Sequence, residues 1–398
     1  MRVFVLMRLA LALVLLLSGS CHFPGSTRPL LKIGLIAPFE GLYRSLGYEV
    51  LYAVKLAVRQ RNAAGGVAGY GVELVALNDN GDSALAARVA AKLAVDRDVM
   101  GALGPWSVAG AAQALPVFVG SEMPWLVPVP LSDLALAAGR PYAFRLSAGP
   151  QLLAQTAVEW ALSAGAERVL VSDVGDLALA FRAAAERCGV YAPMRDLEAG
   201  EWSKVMVALG GNAAQIADEL LALAATGYRG LAIAGPEGGL SIVKQRAGSA
   251  ANALFWFGSM PPVSEGWSTS FTAEYVALAG QPPGPYAALA YDAANVLLNA
   301  IAAGIAQSEK PERAVVADAL ADTDYTGLSG SIAFDAAGAW QDAPVYVQRS
   351  TAMEEASRAP CEATPKHGQR RHARLPGGVG AASASRETRH EQRATSNE

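Results

Sequence analysis

Histidine is scarce and badly placed for chemistry. Of four in 398 residues, His22 lies near the start and His367, His372 and His390 near the end, so the stretch from Leu31 to Gln348 has none. Cysteine is as sparse: Cys21, Cys188 and Cys361 give neither a disulfide framework nor a metal-ligand spacing. Cys188, in "FRAAAERCGV", reads as a small core residue. A Ser-His-Asp site, a Cys-His site and a zinc site of the His/Cys type are thereby excluded from the body of the chain, while carboxylate or lysine chemistry stays open. No metal or cofactor is implied. An excess of one charge is missing too: 32 Lys and Arg stand against 36 Asp and Glu. That balance leaves no basic stripe of the kind that grips nucleic acid. No internal repeat of about 20–50 residues is visible.

What is present begins with a leader. Arg2 and Arg8, an apolar run from Leu9 to Leu17 and then Ser18-Gly19-Ser20-Cys21 read as a secretory signal over residues 1–20. The run is shorter than the ~20 apolar residues a membrane span needs. Cleavage before Cys21 would leave an N-terminal cysteine fit to carry lipid, although Leu17 stands one place farther from Cys21 than in the usual lipoprotein pattern. An exported protein, anchored to the membrane through lipid on Cys21, is the expectation; a free periplasmic protein is the alternative.

The length calls for two domains, and the pattern from Leu31 onward says of what kind. "LKIGLIAP" is a buried strand, and "EVLYAVKLAVRQRNAAGG" places Val50, Leu51, Val54, Ala57 and Val58 on one helical face with Gly65-Gly66 as its stop. "VELVAL", the turn "NDNGD" and a helix with Leu85, Val89 and Leu93 follow. The beat continues through "MGAL", "WLVPV", "AFRLS", "RVLVS", "GLAIAG" and "LFWFG". Near-continuous apolar strands separated by helices point to parallel sheets covered on both faces. A closed barrel of eight strands is the competitor. It fits less well, because consecutive helices at Ser268–Ala279, Pro285–Ala303 and Pro311–Asp322 precede two short strands, "GSIAFD" and "APVYVQ". From Thr351 to Glu398 large apolar residues almost vanish, and a disordered tail is expected.

Five segments, taken together, carry a resemblance. "IGLIAPFEGLYRSLG", "AVKLAVRQRNAAGGVAGYGVELVALNDNGD", "GALGPWSVAGAAQALPVF", "PYAALAYDAANVLLNAI" and "GLSGSIAFDAAGAW" resemble the leucine/isoleucine/valine-binding family of type I periplasmic binding proteins, the solute receptors of branched-chain amino-acid ABC transporters. The likeness spans roughly Leu31 to Gln348. It implies an α/β fold of two Rossmann-like lobes joined by three hinge crossings, near Leu146-Ser147, Gln281 to Pro285 and Leu328 to Gly330. Lobe 1 would hold residues 30–146 and 282–327, lobe 2 residues 147–281 and 328–350.

Within that frame "GALGPWSVAGAA" becomes one wall of a ligand cleft, because ligands of open α/β sheets sit beyond the carboxyl ends of the strands. The turn lacks the glycine pattern of a dinucleotide site and the Gly-Lys-Ser/Thr of a phosphate loop. The amides of Ser107 and Val108, opening a helix, suit a carboxylate. Other positions depart from the amino-acid receptors that the resemblance implies. Val108 replaces a hydroxyl, Val129, Pro130 and Leu131 stand where Ala-Thr or Ser-Thr is usual, and Met260 falls where an acid often meets the ammonium. Glu237 in "AGPEGG" and Asp176 in "SDVGDLALAF" are the acids that could compensate, or else plain surface carboxylates. Tyr43 and Trp106 are candidates to pack on a ligand; Trp106 could equally plug the gap under its loop. Asp79 and Asp82 read as solvated turn residues, and Tyr291 and Asp292 as packing groups.

The resulting expectation is a binding protein, not an enzyme, closing two lobes over a small amino acid or a related apolar or aromatic acid or amide. It would deliver that ligand to an inner-membrane permease. A non-transporting interaction or sensor protein on the same fold is the alternative, and an enzyme built on Asp173 and Asp176 is the remoter one.

Overall fold

The computed structural model describes residues 28–194, 202–263 and 267–349, and the backbone of 352–354. The leader with Cys21 and almost all of the expected tail lie outside the described residues.

Lobe 1 is laid down first. Strand β1 (Leu30–Ala37), helix α1 (Arg44–Ala63), β2 (Gly71–Asn78), α2 (Ser83–Val95), β3 (Val99–Leu103), α3 (Val108–Gly120), β4 (Trp125–Val127), α4 (Asp133–Ala138) and β5 (Ala143–Arg145) alternate. Their strands form one parallel sheet in the order β2-β1-β3-β4-β5. Side chains set the helix boundaries: Asp82 accepts from the Leu85 amide and Ser107 from the Gly110 amide, each satisfying a first-turn N–H. Asn62, at the end of α1, pairs with both the N–H and the C=O of Val72 at 2.9 and 2.8 Å, tying helix to strand.

Lobe 2 repeats the plan with α5 (Pro150–Ser163), β6 (Arg168–Val171), α6 (Ala178–Arg187), β7 (Tyr191–Pro193), β8 (Val205–Leu209), α7 (Ala213–Ala225), β9 (Leu231–Ala234), α8 (Ser241–Ala247) and β10 (Leu254–Gly258). Then come α9 (Thr269–Ala279), α10 (Pro285–Ser308), α11 (Arg313–Ala321), a hairpin of β11 (Tyr325–Gly327) and β12 (Gly330–Ile332), and finally β13 (Tyr346–Arg349) and β14 (Ala352–Glu354). The second sheet runs β14-β13-β10-β9-β8-β6-β7, with β13 and β14 antiparallel. Two open sheets dispose of the barrel. Helix α10 is long and apolar enough to cross a membrane, the one such helix among the described residues, and it is buried as the core helix of lobe 1 between α1 and α11.

Two expected crossings are displaced. The first crossing runs from β5 through 146–149 into α5. The second comes directly after β10, because α9 already packs on lobe 1: the Tyr275 hydroxyl donates to the Glu49 carbonyl at 3.1 Å, and Phe271 stacks on Tyr291 at 5.0 Å. The Gly and Pro between 280 and 285, read as a hinge, are the stop of α9 and the first position of α10, a corner inside lobe 1. The third crossing lies beyond Gln341. Residues 328–330 are a hairpin turn held by Asp292, which accepts from the Leu328 and Ser329 amides. After it the chain runs beside β5, where Arg145 donates to Gly338 and accepts from Trp340. Ordered pairing also continues past residue 350, since β14 bonds β13. The three crossings are knitted together: the Ala148 amide donates to Ser259 Oγ at 2.8 Å, and Gln348 Nε2 to the Met260 carbonyl at 2.9 Å. Cys188, at the end of α6, is half-buried and packs against the core, as its reading has it.

Candidate functional site

The carboxyl ends of both sheets meet across a cavity of about 280 Å³. Lobe 1 supplies Pro38, Tyr43, Leu46, Asp79, Trp106, the start of α3 and the run Pro128-Val129-Pro130, with Tyr286 from α10. Lobe 2 supplies three loop ends: Gly175-Asp176-Leu177 after β6, Gly210-Gly211-Asn212 with Gln215 after β8, and Gly235-Pro236-Glu237 with Leu240 after β9. The lobes touch over this space. Tyr286 Oη donates to the Pro236 carbonyl at 2.8 Å, the Ser45 and Ser241 hydroxyls are 2.8 Å apart, and Tyr43 Oη reaches Asn212 Oδ1 at 3.4 Å.

Seven of the nine singled-out residues come together here: Tyr43, Trp106, Ser107, Val108, Val129, Asp176 and Glu237. Leu131 and Met260 do not line the cavity. Leu131 is 2% exposed within the core of lobe 1, its carbonyl taken by Arg145 Nη1, because the chain turns inward after Pro130. Met260 sits in the hinge bundle, 1% exposed, with its carbonyl bonded to Gln348. Asp79 corrects the opposite error: read as a solvated turn residue, it is 2% exposed and lines the cavity, its Oδ1 accepting from the Gly81 amide. Asn212, Gln215 and Tyr286 were missed. "GNAAQ" contains the signal for two of them, since Asn212 and Gln215 form a reciprocal capping box at the start of α7, a strand-to-helix junction like that at Ser107.

At α3 the Ser107 hydroxyl is spent on the Gly110 amide at 3.1 Å. The Val108 and Ala109 amides remain as first-turn donors with no intrahelical acceptor. That is a place for a carboxylate. Trp106 packs edge-on against Tyr286 at 6.2 Å, so the aromatic wall is continuous with the core.

The charged lining is entirely acidic: Asp79, Asp176 and Glu237, with no lysine or arginine. Burial pushes the Glu237 carboxyl up to about 7; the Asp176 charge adds to the rise and the Ala213 amide, 3.3 Å from Oε2, opposes it. Burial likewise holds the Tyr286 phenol well above its ordinary value, with Glu237 and Glu49 reinforcing, so it stays a donor. Glu49 lies behind the wall, accepting from the Tyr286 and Ala287 amides at 2.6 and 3.0 Å, and burial raises it to about 7 as well. Among the described residues no group of three His, Cys, Asp or Glu is placed to hold a metal ion.

Residues 31–191 and 192–355 match the family described as periplasmic binding protein. The chain belongs to the periplasmic binding protein family. Membership brings an extracytoplasmic setting and a role in binding solutes. Comparison with curated proteins yields no match. Several solved periplasmic binding proteins share the fold. The substrate-binding protein LivJ of Streptococcus pneumoniae, in complex with isoleucine, is 19% identical with a TM-score of 0.67, covering 80% of this chain and 96% of its own. An ABC transporter substrate-binding protein from Desulfitobacterium hafniense complexed with Leu is 22% identical, with a TM-score of 0.68 and coverage of 82% and 99%. A solute-binding protein from R. palustris in complex with benzoate is 17% identical, with a TM-score of 0.65 and coverage of 82% and 94%.

Proposed function

We propose that this periplasmic binding protein is the solute receptor of an ABC importer, performing no catalysis and delivering a small acid with an apolar body to an inner-membrane permease. Amino acids and aromatic or aliphatic acids and amides of that size are the class. The observation that carries the reading is the inter-lobe cavity, with the amides of Val108 and Ala109 at one wall and Trp106, Tyr43 and Val129 beside them. The ligand carboxylate lies at the α3 N-terminus, where amide donors and helix dipole both favour negative charge. Its apolar body rests on the aromatic wall, and Asp176 and Glu237 face it from lobe 2. Relatives of this fold holding isoleucine, leucine and benzoate bracket the size and polarity. Closure follows from differential affinity: a ligand touching both lobes stabilises the state in which they meet. Lipid on Cys21 would tether the receptor beside its permease, and equal membrane partitioning of the wild type and Cys21→Ser would refute that anchor.

The test is a thermal-shift screen of the mature protein with leucine, isoleucine, valine, benzoate, phenylacetate and short-chain amides. A true ligand at a hundred times its Kd adds about 2.7 kcal/mol of stability. No stabilisation by any of them would favour a non-transporting interaction protein on the same fold.

A further inference from the structure

The capping box at the start of α7 fixes more than a helix end. The Gln215 amide N–H donates to Asn212 Oδ1 at 3.0 Å, and the Asn212 amide N–H to Gln215 Oε1 at 2.9 Å. A backbone N–H can only donate, so each side-chain carboxamide must turn its oxygen to the main chain. What each has left is its NH2 group. Neither Asn212 Nδ2 nor Gln215 Nε2 has an acceptor among the described residues, and both side chains line the cavity. The other N–H groups of that first turn are spent, Ala213 on Glu237 and Ala214 on the Tyr43 hydroxyl. Beside these donors stands an acceptor. Asp176 lines the same cavity and takes no hydrogen bond among the described residues. Its neighbour Gly175 lies so close to the main chain of Gly210 and Gly211 that a Cβ there would overlap both.

Lobe 2 therefore offers two NH2 groups and one carboxylate, and few ligand ends satisfy all three. A second carboxylate supplies acceptors alone and adds charge to a lining whose charged groups are all acids. An ammonium supplies donors alone and leaves both NH2 groups unanswered. An apolar end leaves everything unpaired. A primary carboxamide carries a C=O for the NH2 groups and N–H for Asp176, with no net charge.

We propose that Asp176, Asn212 and Gln215 form a subsite for a neutral carboxamide, so that the receptor takes acids bearing an amide at the end opposite the carboxylate. The inference rests on the receptor reading above, with the carboxylate at Val108 and Ala109. The ligand C=O accepts from Asn212 Nδ2 and Gln215 Nε2, and its N–H donates to Asp176. Because the two ends of the ligand then belong to different lobes, both are held only when the lobes meet. A cavity of about 280 Å³ holds roughly nine water-sized groups, the size of a five-carbon acid amide.

Four probes share a carboxylate and a short chain and differ at the far end. Glutaramate ends in a carboxamide, 5-methylhexanoate in an isopropyl group of the same shape, glutarate in a carboxylate and 5-aminopentanoate in an ammonium. In calorimetry glutaramate binds about tenfold or more tighter than each of the others. Asn212→Asp and Gln215→Glu keep the capping oxygen and remove only the NH2 donors, so the helix end stays intact in thermal melting. The added charge weakens every anionic probe, and the readout is the ratio of glutaramate to 5-methylhexanoate affinity, which falls about tenfold in each variant. Another probe that matches glutaramate, or a ratio that survives in either variant, overturns the subsite and leaves the receptor standing. Binding of leucine or benzoate with none of glutaramate does the same. Failure of every screened solute and all four probes overturns the receptor reading and the subsite together.

Discussion

Trp106, Val129 and Tyr286 on one side of the cleft are 4%, 6% and 5% exposed, whereas Asp176, Asn212 and Gln215 on the other are open to solvent. One wall is the end of a hydrophobic core and the other a set of loop tips. The buried aromatic residues of the first wall also hold the fold together, whereas the exposed polar side chains of the second do not. A substitution at Trp106 is expected to change both stability and affinity; one at Asp176 changes affinity alone. Four measurements can break that division or make it sharper.

The largest effect is expected from Trp106→Ala. Removing a buried indole packed on Tyr286 should cost about 3–5 kcal/mol of stability and abolish ligand binding, measured by urea unfolding and calorimetry. Asp176→Asn, its counterpart in lobe 2, should stay within about 0.5 kcal/mol of wild-type stability. Comparable losses in the two variants would dissolve the distinction.

Next is Gly104→Ala, at the entry to the Trp106 loop. Gly104 has φ +80°, and a Cβ there would overlap the Ile36 carbonyl oxygen of β1, so a loss of about 1–3 kcal/mol is expected in thermal or urea unfolding. A neutral result would mean that the loop shifts independently of the sheet.

Glu49 gives a pH signature to the lobe 1 wall. Its carboxyl is raised from 4.5 to about 7, so its neutral form favours the fold: that contribution is complete below about 4.5 and is lost as pH rises through about 7. Glu49→Gln should therefore gain about 1–2 kcal/mol relative to wild type between pH 5 and about 8, read from urea midpoints. An identical pH profile in both proteins would show that Glu49 is hydrated.

The smallest effect belongs to Tyr43→Phe. It deletes a long, partly exposed bridge to Asn212 and the contact of the hydroxyl with the Ala214 amide. Ligand affinity should weaken by less than about 1 kcal/mol with stability unchanged, as followed by calorimetry and thermal melting.

The same asymmetry governed what could be read in advance. Strand and helix order, the two lobes and the Ser107 junction were legible, because apolar periodicity and first-turn caps are local signals. Seven cavity residues followed from placing ligands at strand ends. Leu131 and Met260 lie off the cavity because strand-end position does not say which way a chain turns one residue later. Asp79 differs from its reading because "NDNGD" is turn chemistry, and a turn pattern does not say that its first Asp is 2% exposed at the cavity. The hinges were misplaced where Gly and Pro mark a helix corner as readily as a crossing. Pairing of 338–340 with Arg145 of β5 is likewise long-range.

The glycines of the lobe 2 wall bear on how such a receptor could diversify. A Cβ at Gly175 would run into the Gly210 carbonyl, and one at Gly210 into the Ala178 amide. Main chain lies on main chain there, with no room for a side chain to be introduced. New specificities in descendants of this chain must then arise at positions that already carry side chains. Glu237, Asp176, Asn212 and Gln215 are the exposed or half-buried ones. Mutational drift toward another solute is thus channelled through a handful of codons, most of them changeable without unfolding the protein.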